Sequence, residues 1–100
     1  MTSEQVTAMI AQACDYDPDL TVIRFDGLDE AVMGWCCRKG MAQPVLLYDR
    51  AKCVAALAVQ FDADEDASAE EMAIEFLEFN TFDAYLGEGT PAFFVGPEEP

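Results

Sequence analysis

Three aspartates near the middle of the chain have the spacing of a metal-binding loop. Asp62, Asp64 and Asp66 alternate with other residues, and in an EF-hand such alternate carboxylates point at one calcium ion. The rest of the loop does not fit, because Ala67 stands where the loop needs glycine and Ala73 where it needs a bidentate glutamate. We therefore predict no dedicated metal site here, only loose condensation of cations on the acidic run.

The composition removes several classes of catalytic chemistry. The 100 residues include no histidine, so neither a Ser-His or Cys-His nucleophile pair nor a zinc site of the Cys/His type can be assembled. Carboxylates are abundant, but no spacing singles out two of them for paired acid and base catalysis. The segment Gly87-Glu-Gly89 lacks the lysine and the following helix of a phosphate-binding loop. We predict that the protein is not an enzyme and uses no cofactor.

The four cysteines form no C-x-x-C pair; they are Cys14, Cys36, Cys37 and Cys53. We interpret all four as small apolar core residues in a reducing compartment. A reactive thiol needs a positive neighbour, and Arg38 and Lys39 beside Cys37 are the only candidates. A redox role for Cys36 and Cys37 stays open.

The charge of the chain is strongly negative and unevenly distributed. Twenty acidic residues against five basic ones give a formal net charge of -15. Direct binding of nucleic acid through phosphates is excluded, because the field of the protein would repel them. Residues 1–50 carry eight acidic and four basic residues, whereas residues 51–100 carry twelve acidic residues and one basic residue. The second half therefore holds most of the negative charge.

Part of this charge is predicted to form a continuous acidic ridge. Ser68 and Glu71 have the spacing of a capping box, which predicts a helix whose apolar positions include Phe76 and Phe79. Glu71, Glu75 and Glu78 fall in a narrow arc of that helix, and no lysine or arginine follows Lys52 in the chain. The acidic ridge is the set Asp62, Asp64, Glu65, Asp66, Glu71, Glu75 and Glu78.

Two interpretations of the acidic ridge stay open. Carboxylates four residues apart on a helix are separated by about 6 Å of rise, comparable with neighbouring phosphates on one strand of DNA. The ridge could therefore replace nucleic acid in the basic groove of a partner protein. Alternatively, it is a solvated face that keeps the protein soluble or adapts it to high salt.

Two aromatic residues beyond this helix are predicted to be exposed. Phe82 and Tyr85 lie among loop residues, and a small domain cannot bury every large ring. We add them to the predicted partner-binding surface. They also support the alternative of a homodimer seam.

The remaining pattern predicts a single α+β domain over residues 1–95. Thr2 and Gln5 form a capping box for a first helix that ends before Pro18, and Asp49 caps a later one. Apolar runs at residues 20–25, 31–37 and 45–48 predict a three-stranded antiparallel meander, and residues 92–95 predict a C-terminal edge strand. We expect this small sheet to be covered by helices on one face, followed by a disordered acidic tail at residues 96–100.

The N-terminal residues indicate a compartment. An acidic residue stands where a secretory signal carries lysine or arginine, and no apolar run approaches 18 residues. We predict a cytoplasmic protein that does not enter a membrane.

Four short motifs resemble a family of small proteins of tailed phages and prophages: residues 26–31 (DGLDEA), 48–53 (YDRAKC), 75–80 (EFLEFN) and 87–91 (GEGTP). The resemblance covers about residues 20–95 and implies no catalytic residues, since no activity is settled for that family. It implies a context in the host cell cytoplasm, where small acidic phage products such as anti-CRISPR proteins and DNA mimics block host nucleic-acid machines. The acidic run at residues 62–66 departs from the family pattern, so it makes mimicry specific to this chain.

These observations lead to one expected function and one alternative. We expect a phage-type inhibitor that binds a basic nucleic-acid-binding host protein or complex through the acidic ridge, Phe82 and Tyr85. The alternative is an assembly-associated or homo-oligomeric phage protein whose charge is incidental.

Overall fold

The computed structural model describes residues 1–37, 39–40, 43–60, 68–82, 86–87 and 89–97. Within these residues the elements, in chain order, are α1 (Ser3–Tyr16), β1 (Val32–Cys36), β2 (Val45–Asp49), α2 (Arg50–Ala58), α3 (Ala69–Leu77) and β3 (Ala92–Phe94). A 3₁₀ turn at Asp29–Ala31 precedes β1, and a π-helical turn at Glu78–Phe82 continues α3. The predicted α+β class is confirmed. Residues 98–100 of the predicted tail lie outside the described residues.

Each of the three helices begins at a side chain that accepts a hydrogen bond from the backbone. At α1 the capping box is complete, because Thr2 Oγ1 accepts from the Gln5 N–H at 3.1 Å and Gln5 Oε1 accepts from the Thr2 N–H at 2.9 Å. Asp49 Oδ1 accepts from the Ala51 N–H at 3.0 Å and starts α2. Ser68 starts α3 by the same kind of contact. The predicted caps Thr2, Asp49 and Ser68 are confirmed; of the capping box predicted for Ser68 and Glu71, the structure shows the contact in which Ser68 accepts.

Strand β2 is the central strand of a mixed sheet. It pairs antiparallel with β1, where Trp35 lies opposite Leu46, and parallel with β3, where Phe93 lies opposite Tyr48. The β1 ladder is irregular next to Gly34, whose φ of +144° lies in the region that favours glycine. The predicted C-terminal strand therefore does lie at an edge, but its direction makes the sheet mixed rather than antiparallel.

The predicted strand at residues 20–25 does not form. This segment is extended, yet its backbone groups bond to side chains instead of to a neighbouring strand. The Thr21 N–H donates to Gln43 Oε1 at 3.2 Å, the Gln43 amide donates back to the Thr21 carbonyl, and the Phe25 N–H donates to Tyr48 Oη at 2.8 Å. The predicted three-stranded meander is therefore wrong at its first strand.

Side chains from all three helices and from β1 and β2 meet in one core. The buried cluster consists of Val6, Leu28, Ala31, Val32, Leu46, Tyr48, Cys53, Val54, Ala73 and Leu77. The rings of Phe25, Tyr48 and Phe93 meet at its edge with centroids 5.5 to 5.9 Å apart. Helix α2 contacts β2, α3 and the 3₁₀ turn, so it holds the helical layer against the sheet.

Arg24 joins the extended segment to α1 and to the 3₁₀ turn. Its guanidinium donates to both carboxylate oxygens of Asp29 at 2.8 and 2.9 Å, to Thr7 Oγ1 at 3.0 Å and to the carbonyl and hydroxyl oxygens of Ser3 at 3.2 Å. The hydrogen bonds from Arg24 lower the pKa of Asp29, and that from Ser3 adds to the effect. We call these contacts the Arg24 clamp; they stabilise the packing of α1 against the 3₁₀ turn when Asp29 is ionised.

The four cysteines are all free thiols with different environments. Cys53 is fully buried, and burial raises its pKa to about 12, with a smaller contribution from the nearby Asp49 carboxylate. Cys14 and Cys36 are partly buried. Cys37 is exposed, so its prediction as a core residue is wrong: it follows the last residue of the edge strand β1.

Candidate partner-binding surface

Helix α3 presents a buried side and an acidic side because of its residue spacing. Ala73 and Leu77, four residues apart, are buried in the core, and α3 packs against α2. Glu71, Glu75 and Glu78 fall at i, i+4 and i+7 and are all exposed. The structure therefore brings these three members of the acidic ridge onto one solvent-facing stripe.

The other predicted ridge residues, Asp62, Asp64, Glu65 and Asp66, lie outside the described residues. Tyr85 also lies outside them. The candidate surface is accordingly built from α3 and the π-helical turn alone.

One carboxylate of the stripe has a basic partner that the sequence analysis missed. Arg50 Nη2 lies 3.4 Å from Glu78 Oε1, and the Arg50 side chain is 14% exposed. Arg50 is the first residue of α2, so it precedes the acidic half of the chain, and only the packing of α2 against α3 places it near Glu78. Although no basic residue follows Lys52 in the chain, the negative charge of the stripe is thus partly neutralised by a basic residue that precedes it. Glu71 and Glu75 form no ion pair with a described residue.

The exposure predicted for Phe82 is wrong. Its ring is partly buried, contacts Phe93 edge-to-face with centroids 4.8 Å apart, and lies under the Arg50 guanidinium, whose central carbon is 5.0 Å from the ring centroid. The physical reason is the π-helical turn, which continues past Asn80 and turns Phe82 onto the β3 side chain. Phe82 therefore belongs to the support of the surface rather than to its outer face.

The exposed aromatic residue of the surface is Phe79. Its side chain is 84% exposed, and Phe76 three residues earlier is 47% exposed, although the sequence pattern counts both among the apolar positions of the helix. Phe79 directly follows Glu78 in the π-helical turn and comes four residues after Glu75 of α3, so it is next to the stripe in the chain. Helix periodicity is the sequence signal that could have predicted the exposure of Phe79, because Ala73 and Leu77 define the buried side of α3 and Phe79 falls outside it.

A groove elsewhere offers no comparable arrangement. An open depression of about 680 Å³ lies between the start of α1, the 3₁₀ turn and α2, with Ser3, Asp29, Glu30, Lys52 and Val59 among its lining residues. The Asp29 carboxylate in it is already bound by Arg24.

The described part of the chain contains neither a metal-binding cluster nor a membrane-spanning helix. No three Cys, Asp or Glu side chains there are grouped so that they could hold a metal ion. None of the described helices is long and apolar enough to cross a lipid bilayer. The predicted absence of a calcium loop at Asp62, Asp64 and Asp66 concerns residues outside this part.

Comparisons with protein-family models, with curated proteins and with solved structures found no match to this chain.

Proposed function

We propose that the protein is a non-enzymatic inhibitor of the DNA-mimic or anti-CRISPR type, encoded by a phage and active in the host cytoplasm. Its acidic surface occupies the nucleic-acid-binding groove of a basic host protein or complex. The observation that carries the proposal is the exposed stripe of Glu71, Glu75 and Glu78 on α3 in a chain of net charge -15.

The stripe costs stability in the free protein, which favours a role in binding. Like charges four residues apart on a helix destabilise it by roughly 0.2–0.5 kcal/mol for each pair. Glu70 and Glu71 offset part of this cost, because they lie in the first turn of α3 at the positive end of its dipole. Glu75, at mid-helix, has no such compensation, and a basic partner would supply it.

The geometry of a helix suits the replacement of phosphates. Carboxylates at i and i+4 are separated by about 6 Å along the helix axis, so a groove that binds successive phosphates can accept them. Because α3 is anchored by Ala73 and Leu77, its carboxylates are held by a packed element rather than by a loop. Little conformational entropy of the backbone is then lost on binding.

The experiment that tests the proposal begins with capture of partners from a host lysate and their identification by mass spectrometry. A supporting partner is a basic nucleic-acid-binding protein that its own nucleic acid displaces and that binds less tightly as salt rises. The decisive variant replaces Glu71, Glu75 and Glu78 together by glutamine, which keeps helix propensity while removing charge.

The matched control removes three charges from another part of the surface. Glu4→Gln, Asp15→Asn and Glu30→Gln change exposed carboxylates on α1 and the 3₁₀ turn. We expect binding to survive in the control and to be lost in the α3 variant. Equal binding by a folded α3 variant and the parent would end the mimic proposal.

A second candidate function is self-association as an assembly protein, favoured by the exposure of Phe79 and of Val59, each at 84%. Light scattering after size exclusion tests it. A dimer that becomes a monomer on Phe79→Ser, with no partner captured, would favour this function over inhibition.

A further inference from the structure

The contact around Arg50 shows how this chain holds a guanidinium group. Glu78 and Phe82, four residues apart, bind it together: the carboxylate lies 3.4 Å from Nη2, and the ring centroid lies 5.0 Å from the guanidinium carbon. A planar guanidinium is suited to both contacts, since its edge donates hydrogen bonds while its face stacks on a ring.

The same pair of residue types occurs three residues earlier on the exposed side. Glu75 and Phe79 have the spacing of Glu78 and Phe82, a carboxylate followed by a phenylalanine four positions later. Glu75 is exposed, Phe79 is 84% exposed, and no described basic side chain forms an ion pair with Glu75. One copy of the pair is thus filled by Arg50, whereas no described cation fills the other.

We propose that Glu75 and Phe79 form a receptor for an arginine side chain of the basic partner. This inference rests on the proposed function and specifies which residue type of the partner the surface recognises. The partner's guanidinium stacks on the Phe79 ring and donates to the Glu75 carboxylate, as Arg50 does with Phe82 and Glu78.

The charges around Phe79 decide which occupant fits. A wholly apolar partner would remove water from Glu75 and Glu78 without replacing their hydrogen bonds, which is costly. A second copy of this chain would bring another net charge of -15 to the same place. A lysine ammonium satisfies the charge but is a compact, strongly hydrated point charge that does not stack as a guanidinium does. A basic segment that carries arginine donates hydrogen bonds to the carboxylates, has the opposite charge and stacks on the Phe79 ring.

The test uses two fluorescently labelled alanine-based peptides of equal length, one carrying arginines and the other lysines at the same positions. Their affinities for the full chain are measured by fluorescence anisotropy at low ionic strength. We expect the parent to bind the arginine peptide roughly two- to fivefold more tightly than the lysine peptide, the range of an exposed cation–π contact. Phe79→Leu should abolish this preference by weakening the arginine peptide more than the lysine peptide, whereas Phe79→Tyr should keep it.

Two further variants complete the design. Tyr16→Leu removes the ring of an exposed aromatic side chain at the end of α1, where Gln12 and not a carboxylate lies four residues earlier on the helix, and it should retain the preference. Glu75→Gln should weaken both peptides. Circular dichroism and thermal melting establish that each variant is folded.

The outcomes separate the two proposals. Equal affinities of the parent for the two peptides, or a preference that persists in Phe79→Leu, would overturn the arginine receptor. If the triple glutamine variant of α3 still weakened both peptides in that case, the acidic surface of the proposed function would stand. If the triple variant bound both peptides as tightly as the parent, both proposals would fall.

Discussion

The backbone N–H of Phe25 donates a hydrogen bond of 2.8 Å to the phenol oxygen of Tyr48, whose side chain is fully buried at the centre of the sheet. This contact ties the extended segment before the 3₁₀ turn to β2 without forming a strand. Burial raises the pKa of Tyr48, so the phenol stays neutral throughout the ordinary pH range.

Removing this acceptor should destabilise the protein. Tyr48→Phe keeps the ring but leaves the Phe25 N–H without its partner, and we expect a loss of about 1–3 kcal/mol in the free energy of unfolding. Urea denaturation measures the loss. The control is Tyr16→Phe, at a side chain that is 94% exposed, where the stability should be unchanged. Equal stability of Tyr48→Phe and the parent would show that the hydrogen bond contributes nothing.

A second stability prediction concerns Gly89. A Cβ atom there would lie 2.6 Å from the Thr21 carbonyl oxygen and 3.3 Å from Thr21 Cγ2, so one backbone segment must shift. We expect Gly89→Ala to cost about 1–3 kcal/mol, as overpacking does elsewhere. In Gly96→Ala the nearest atom would be Phe94 Cε1 at 3.8 Å, an ordinary contact, so this variant serves as the control. Melting temperatures that fall equally in both variants would contradict the argument.

The Arg24 clamp should make stability depend on pH with a defined sign. Because Arg24 lowers the pKa of Asp29 in the folded state, ionisation of Asp29 stabilises the fold above its ordinary pKa of about 3.9. That contribution disappears as the pH falls through the lower folded pKa. We expect the stability difference between the parent and Asp29→Asn to be greatest near neutral pH and to shrink below about pH 4. A difference that stays constant from neutral to acidic pH would disprove this linkage.

Self-repulsion should make the fold sensitive to salt. With a net charge of -15, we expect the melting temperature to rise as sodium chloride is added, because counterions screen the carboxylates. Sodium chloride should recover much of the stability that calcium recovers. A sharp rise with micromolar calcium alone, and none with sodium chloride, would instead indicate a specific site at Asp62, Asp64 and Asp66.

The three carboxylates of α3 should contribute unequally to binding of a basic peptide. Arg50 already forms an ion pair with Glu78 and neutralises part of its charge, whereas Glu71 and Glu75 have no described ion-pair partner. We expect Glu71→Gln and Glu75→Gln each to weaken binding more than Glu78→Gln does. Anisotropy titrations at low ionic strength give the order, and the largest loss at Glu78 would contradict it.

Local signals in the sequence were sufficient for the helix starts. Thr2, Asp49 and Ser68 were each predicted as caps, because a cap depends on residues only two or three positions away. The apolar run at residues 20–25 was read as a strand for a similar local reason. Whether an extended segment joins a sheet depends on a free strand edge nearby, and here Gln43 and Tyr48 bond to its backbone instead.

The candidate surface was also predicted only in part, because some of its contacts join residues far apart in the sequence. The stripe of Glu71, Glu75 and Glu78 follows from helix periodicity, so its shared face could be read from the sequence. The pairing of Glu78 with Arg50 is a contact between two helices, and the burial of Phe82 depends on a π-helical turn and on Phe93. Such long-range contacts leave no trace in residue spacing.

The parallel pairing of β2 with β3 has a consequence for the order in which the chain can fold. Leu47 lies opposite Ala92, and 45 positions separate them, so the sheet closes only after both α2 and α3 have been synthesised. Closing such a long loop carries a larger entropic cost than pairing the closely spaced β1 and β2. During translation the β2 edge is therefore unprotected until β3 has left the ribosome, and this interval is when a nascent chain is most exposed to wrong strand pairing and aggregation.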